Sequence, residues 1–156
     1  MDDIDGTLFL GRLSERLSDL IEAQSAEVFR EAGLRIPVRS CSLMVTVQAL
    51  EPASAVDLAR ALGCSHQLVL QKTPKLLALG LVRRTPCPDD GRRKVFSLTP
   101  AGREQVARLE SLEPAFVGAY DELEGTVGGL HAMLGAAIEA LQQRTLAERM
   151  EAQQRR

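Results

Sequence analysis

Residues 54–98 read SAVDLARALGCSHQLVLQKTPKLLALGLVRRTPCPDDGRRKVFSL. Ser54 stands three residues before the acid Asp57, the spacing of a capping box. A short helix follows with Leu58, Ala59 and Leu62 inward, and Gly63 ends it. Ser65 offers a side-chain oxygen to cap a second helix, which runs to about Leu79 with Gly80 as its left-handed cap. Two helices joined by Gly63-Cys64-Ser65 make a helix-turn-helix. Beyond Gly80 the texture changes. Residues 81–85 read as a strand, residues 86–91 are dense in turn formers, and residues 92–98 return as a second strand. Val82, Phe96 and Leu98 are placed to cover a core. A two-stranded hairpin is marginal alone, so it must lean on the preceding helices. Short helix, glycine turn, longer helix, strand, Asp/Gly-rich loop, strand: this order describes a winged helix-turn-helix. Its second helix suits a major groove and its hairpin an adjacent minor groove.

The flanks are helical. Leu10, Leu13, Leu17, Leu20, Ile21, Val28 and Phe29 recur at three- and four-residue steps, one face of a helix that Gly33 stops. Pro37 opens a second, mostly buried helix carrying Val38, Cys41, Val45, Val47, Ala49 and Leu50. After the wing, Thr99-Pro100 supplies a cap and a first-turn proline for a helix over residues 100–112. Pro114 kinks or restarts it, and Gly125, Gly128 and Gly129 end it. A last helix carries Leu130, Met133, Leu134, Ala137, Ile138, Leu141, Thr145 and Leu146 as a stripe that wants a partner. The expected architecture is mainly α with a small β wing: a winged helix-turn-helix core flanked by N- and C-terminal dimerisation helices. We expect a single domain over 1–156, with a DNA-binding lobe at 36–99 and a helical dimerisation lobe at 8–34 and 100–152.

The chain has 156 residues, 45% hydrophobic and 26% charged, enough to bury a core without disulfides or metal. Aromatics make up only 3%, which argues against base-stacking readers of single strands. Cys41, Cys64 and Cys87 form neither an even set nor a C-x-x-C pair, so neither a disulfide scaffold nor a structural zinc site is expected. The N-terminus is acidic where a signal peptide is basic, and the uncharged run 76–82 is too short to span a bilayer. The expectation is a cytoplasmic protein with no membrane partner. Its two histidines and three cysteines form no catalytic or metal set, which points away from an enzyme. The net charge of −2 hides a division. Residues 65–103 hold eight basic residues against two acids, while the remainder holds eleven against nineteen. A basic reading surface sits on an acidic body.

The motifs resemble those of the MarR family of transcriptional regulators. Asp57-Leu58-Ala59 with Leu62-Gly63 is similar to the family's "ELA…LG" helix, and Gly80-Leu81-Val82 to its "GLV" exit. Asp90-Gly91-Arg92 followed by Leu98-Thr99 and Gly102 is similar to its wing signature "D-x-R…LT-x-x-G" in spacing and identity. The resemblance covers nearly the whole chain. It implies a homodimeric repressor on a pseudo-palindromic double-stranded DNA operator. It also implies Arg92 in a minor groove, held by a charge-assisted bond from Asp90, and control by a small, often aromatic or phenolic effector.

Ser65, His66 and Gln67 open the recognition helix, where free N–H groups favour phosphate and side chains reach base edges. Gln71 lies one turn on and suits adenine. Leu70, Lys75, Arg84 and Arg93 complete the expected DNA contacts. Arg93 and Lys94 alternate on a strand, so one of them at most shares the DNA face. Leu10, Leu13, Leu17, Leu130, Leu134, Ile138 and Leu141 are the expected dimer contacts, and no effector residues stand out. The recognition helix departs from the family in three places. Lys72 and Thr73 stand where apolar residues pack inward, Leu70 stands where a small or polar residue faces DNA, and Pro74 falls inside the helix and should kink it. Two alternatives stay open. One is a winged-helix protein-interaction module with weakened DNA binding, using Leu70 and Pro74. The other is a cysteine-based redox-responsive regulator, since Cys64 precedes a helix N-terminus where a thiolate is stabilised. The cysteine of peroxide-sensing relatives, near the start of the first helix, has no match here.

Overall fold

The computed structural model describes residues 6–88 and 90–155. These form the helices α1 (Leu10–Glu31), α2 (Cys41–Leu50), α3 (Ala55–Leu62), α4 (His66–Ala78), α5 (Pro100–Val127), α6 (Leu130–Gln143) and α7 (Leu146–Gln154). A small antiparallel sheet is built from β1 (Ala53–Ser54), β2 (Val82–Pro86) and β3 (Lys94–Leu98). The architecture is mainly helical with a β wing, and its core is a winged helix-turn-helix. Residues up to Ser111 form one compact unit and residues from Leu112 onward another, with α5 shared between them.

The helix-turn-helix closes by local chemistry. Ser54 Oγ accepts the Asp57 amide at 3.3 Å, and Asp57 Oδ2 accepts the Ser54 amide at 3.2 Å. This reciprocal pair fixes the start of α3. Gly63 ends α3 at φ +62°, a left-handed conformation that costs a side-chain-bearing residue steric energy. Ser65 Oγ then accepts the Leu68 amide at 3.2 Å and starts α4. Buried residues of the first unit include Leu43, Met44 and Val47 of α2, Leu58 and Ala59 of α3, Val69 and Leu76 of α4, Leu81, Val82, Phe96 and Leu98 of the wing, and Val106 of α5. A buried polar residue, Gln105, satisfies itself across the chain: its Oε1 accepts the Arg35 amide at 2.5 Å and its Nε2 donates to the Gly33 carbonyl at 3.3 Å.

Several expectations need correction. The sheet has three strands, in the order β1-β3-β2. Ala53 pairs with Phe96 and Ser54 with Val95, so the segment read as a break supplies a short strand. This makes β3 the central strand, with Val95 and Phe96 both buried. On α2 the buried face is Leu43, Met44 and Val47, while Val45 and Leu50 are exposed. The return strand starts at Lys94 rather than Arg92, because the turn extends through Arg93, whose amide donates to the Asp90 carbonyl at 2.9 Å. α5 runs unbroken through Pro114 to Val127. Pro114 and Glu110 are both exposed, so water can serve the carbonyl that the missing N–H leaves unpaired. The stripe from Leu130 to Leu146 belongs to two helices. Thr145 begins α7 with its own capping box to Glu148, a T-x-x-E signal that periodicity had concealed.

Candidate nucleic-acid interface

α4 presents a buried stripe of Val69, Thr73 and Leu76. A helix turns about 100° per residue, so the face opposite that stripe is centred on Gln67 and Gln71. Leu70 and Pro74 border it on one side and Lys75 on the other. Ser65, His66, Gln67, Leu70, Gln71 and Lys75 are all exposed. Lys72 stands apart, since its Nζ donates to the carbonyl of Arg39, and the Arg39 guanidinium pairs in turn with Asp19 and, at 2.6 Å, with Glu22. Lys72 therefore ties α4 to the start of α2, and α1 holds the same residue. Thr73 is buried as an inward residue, as the sequence suggested. Its Oγ1 donates to the Leu70 carbonyl at 3.4 Å, the carbonyl that Pro74 cannot pair with for want of an N–H.

The wing is set by turn and register. β2 and β3 pair as Val82 with Leu98, Arg84 with Phe96 and Pro86 with Lys94. Asp90 Oδ1 accepts the backbone amide of Arg92 at 3.0 Å. This corrects the expected bond to the guanidinium: among the described residues Asp90 fixes the Arg92 backbone as an Asx turn, and the side chain stays exposed. Arg93 does not share a strand face with Lys94. Its Nη2 lies 3.4 Å from Ser54 Oγ and 3.8 Å from Asp57 Oδ2, which ties the wing to the cap of α3. The Ser54 hydroxyl and amide, followed by the charges of Arg93 and Arg60, hold the Asp57 carboxyl below the usual aspartate range. Lys75, Arg83, Arg84, Arg92 and Lys94 are exposed and have no carboxylate partner among the described residues. Arg83 was not among the expected contacts, and of the alternating pair the sequence pointed to Arg93 where Lys94 is the solvent-facing one, because only the observed pairings separate free cations from clamped ones.

At the base of the wing the Leu98-Thr99…Gly102 spacing acquires a physical reason. Thr99 Oγ1 donates to the Gly80 carbonyl at 2.6 Å and accepts the Gly102 amide at 3.0 Å. A Cβ placed on Gly102 would lie 2.0 Å from the Leu81 carbonyl oxygen, so α5 can start here only on a glycine. Elsewhere in the first unit lies a concavity of about 490 Å³. Phe29, Leu34 and Ile36 supply apolar lining, and Arg30, Arg35, Lys75 and Glu22 supply charge. Sequence reading missed it, because nothing in the spacing of Arg30 and Arg35 brings Lys75 of α4 beside them. The three cysteines are half-buried and unbridged. Burial pushes the Cys41 thiol up to about 11, against the opposing charge of Lys72. Among the described residues no cluster of His, Cys, Asp or Glu can hold a metal, and no helix is long and apolar enough to cross a membrane.

The expected dimer contacts fall as follows. Leu10 is exposed, while Leu13 and Leu17 are half-buried on α1. On α6 Leu130 is half-buried, and Leu134, Ile138 and Leu141 are exposed. Neither α6 nor α7 buries a single residue within the chain.

No family profile and no curated relative matches this chain. Solved structures do. A point mutant of MarR from E. coli complexed with operator DNA is 21% identical, with a TM-score of 0.62 over 94% of this chain and 99% of that one. The transcriptional regulator BldR from Sulfolobus solfataricus is 24% identical, with a TM-score of 0.60 over 92% and 99%. CouR from Rhodococcus jostii RHA1 bound to p-coumaroyl-CoA is 25% identical, with a TM-score of 0.56 over 85% and 89%. The order of elements, the wing turn on Asp90 and these likenesses converge: the chain has the winged helix-turn-helix fold of the MarR-family transcriptional regulators.

Proposed function

We propose that this chain is a sequence-specific double-stranded-DNA-binding transcriptional regulator and not an enzyme. In this reading it is a repressor that works as a homodimer on a pseudo-palindromic operator. The observation that carries it is the solvent-facing positive charge of Lys75, Arg83, Arg84, Arg92 and Lys94 on α4 and the wing of an otherwise acidic chain. Such a surface attracts phosphates and gains affinity by releasing counterions. Ser65, His66, Gln67, Leu70, Gln71 and Lys75 are then the major-groove contacts, with Arg84, Asp90, Arg92 and Arg93 serving the wing. Arg92 reaches the minor groove, and Arg93 acts by holding the wing to α3. Solved neighbours complexed with operator DNA and with a 23-mer DNA duplex support the reading.

The dimer is supported by the open apolar face of α6, where Leu134, Ile138 and Leu141 need a cover that the chain itself does not give. A small effector fits the concavity beside Arg30, Arg35 and Lys75. An aromatic body would lie on Phe29, Leu34 and Ile36, and an anionic end would meet the cations. A ligand there touches the recognition helix through Lys75 and shifts the equilibrium between binding-competent and incompetent states. The relative bound to p-coumaroyl-CoA supports an effector of this kind.

Fluorescence anisotropy on DNA from upstream of the chain's own coding sequence tests the reading. Binding should weaken steeply between 50 and 200 mM salt, by about a thousandfold if the dimer makes six or more phosphate contacts. Arg92→Ala should weaken it about tenfold. Absence of salt-sensitive binding, with Arg92→Ala indistinguishable from wild type, would remove the proposal. The exposed Leu68 and Leu70 favour one second reading, a protein-binding surface on α4. Its sign would be a partner retained at high salt and lost in Leu70→Lys.

A further inference from the structure

We propose that α4 reads A·T pairs in the major groove, with Leu70 seated on a thymine methyl and Gln67 and Gln71 paired to adenine edges. This inference rests on the DNA-binding reading above and gives the chemistry of the sequence it recognises. The face of α4 opposite the buried stripe is centred on two glutamines one turn apart. Lys75 stands at its border, Lys72 is committed to the Arg39 carbonyl, and α4 contains no arginine. Guanine offers two acceptors, N7 and O6, which arginine or lysine meets best. Adenine offers an acceptor and a donor, N7 and the N6 amino group, which match the amide N–H and carbonyl of a glutamine. Gln67 and Gln71 are separated by about 6 Å along the helix axis, close to two base-pair steps.

Beside the glutamines runs an apolar strip. Leu70 is 42% exposed, and Pro74, one turn on, is exposed and has no N–H to offer. Packing does not account for Leu70, since Val69 and Thr73 already fill the inward face. In a major groove the one apolar feature of a base edge is the 5-methyl of thymine. An adenine-reading ridge flanked by a methyl-reading strip therefore selects A·T pairs and rejects G·C pairs at the positions under α4. The wing can favour A·T too, through groove width, but it does so from the minor groove, where thymine carries no methyl.

Replacing thymine by uracil removes that methyl and leaves base pairing and the protein unchanged. The experiment starts with duplexes recovered from a random pool by the full chain. The expected result is A·T pairs at the positions under α4 in each half-site. Thymine-to-uracil replacement there should weaken wild-type binding about fourfold per contacted methyl and leave Leu70→Ala unaffected. Gln71→Ala should erase a discrimination of about tenfold or more at one A·T pair. Salt-sensitive binding with G·C pairs under α4, or with equal affinity for thymine and uracil duplexes, would overturn the inference and leave the DNA-binding reading standing. No salt-sensitive binding to any duplex would overturn both.

Discussion

A single methyl group at Gly102 should unseat the start of α5. The Leu81 carbonyl oxygen lies where that methyl would stand, and it is main chain in the core. Gly102→Ala should therefore cost about 2–3 kcal/mol in urea unfolding, as overpacking does. Gly118→Ala, on the same helix with open space around it, should be neutral or stabilising by about 0.5–1 kcal/mol. Asp57 gives a pH-dependent case. Its folded pKa is depressed, chiefly by the Ser54 hydroxyl and amide. Its contribution to stability is thus complete above the unfolded value of about 4 and is lost as pH falls through the lower folded value. The difference in urea midpoint between wild type and Asp57→Asn should be constant from pH 7 to about pH 5 and shrink below pH 4. Both residues could be picked out from sequence. Ser54 and Asp57 revealed their bond because a capping box is local. Gly102 revealed only its place in a spacing, because its contact is with a residue twenty-one positions away. The bond from Asp90 to Arg92 was misassigned for a similar reason. Sequence shows that two residues are near, but not whether the backbone or the guanidinium is the donor.

Within α4, Pro74 and Thr73 act as a couple. Proline removes the donor that should serve the Leu70 carbonyl, and the neighbouring hydroxyl takes its place from inside the core. Pro74→Ala should stabilise the chain by about 1–2 kcal/mol, since a proline inside a helix costs about 3 kcal/mol and its loss frees the unfolded chain somewhat. Thr73→Val should cost more in the wild type than in the Pro74→Ala background, by about 1 kcal/mol in a double-mutant cycle of unfolding free energies. The same residue type misleads in α5, where Pro114 predicts a kink or restart and the helix runs on. A proline stops a helix only where nothing serves the orphaned carbonyl. At Glu110 water is available, and in α4 a threonine is. Helix existence was legible from caps and periodicity up to α6, while α7 was hidden because the apolar stripe runs on past its Thr145 cap. The β1 strand was not, because two residues carry no periodicity and gain their pairing only from β3.

At the level of the whole chain the charge division was legible and the packing of the outer helices was only half so. The stripe on the last helices announced a missing partner, but the Thr145 cap divides it between α6 and α7. If a second copy covers α6, Ile138→Glu should lower the mass seen by analytical ultracentrifugation at micromolar concentration toward the 17.0 kDa of one chain. Wild type should sediment at twice that. The variant should keep its helical circular dichroism, because Ile138 is exposed within its own chain. A dimer that concentrates two wings on one duplex also brings two sheets close together, and open strand edges invite end-on recruitment of further copies. Here Glu51 becomes more than a loop residue. Its Oε2 accepts the Leu98 amide at 2.6 Å where β1 is too short to reach, and Arg103 holds the same carboxylate. A side chain thereby stands in for the missing end of a strand. The far edge, β2, carries Arg83, Arg84 and Pro86, two charges and a residue without an amide donor. The sheet is thus guarded on both margins, so copies brought together in the proposed complex would meet no free strand edge from which to grow a fibre.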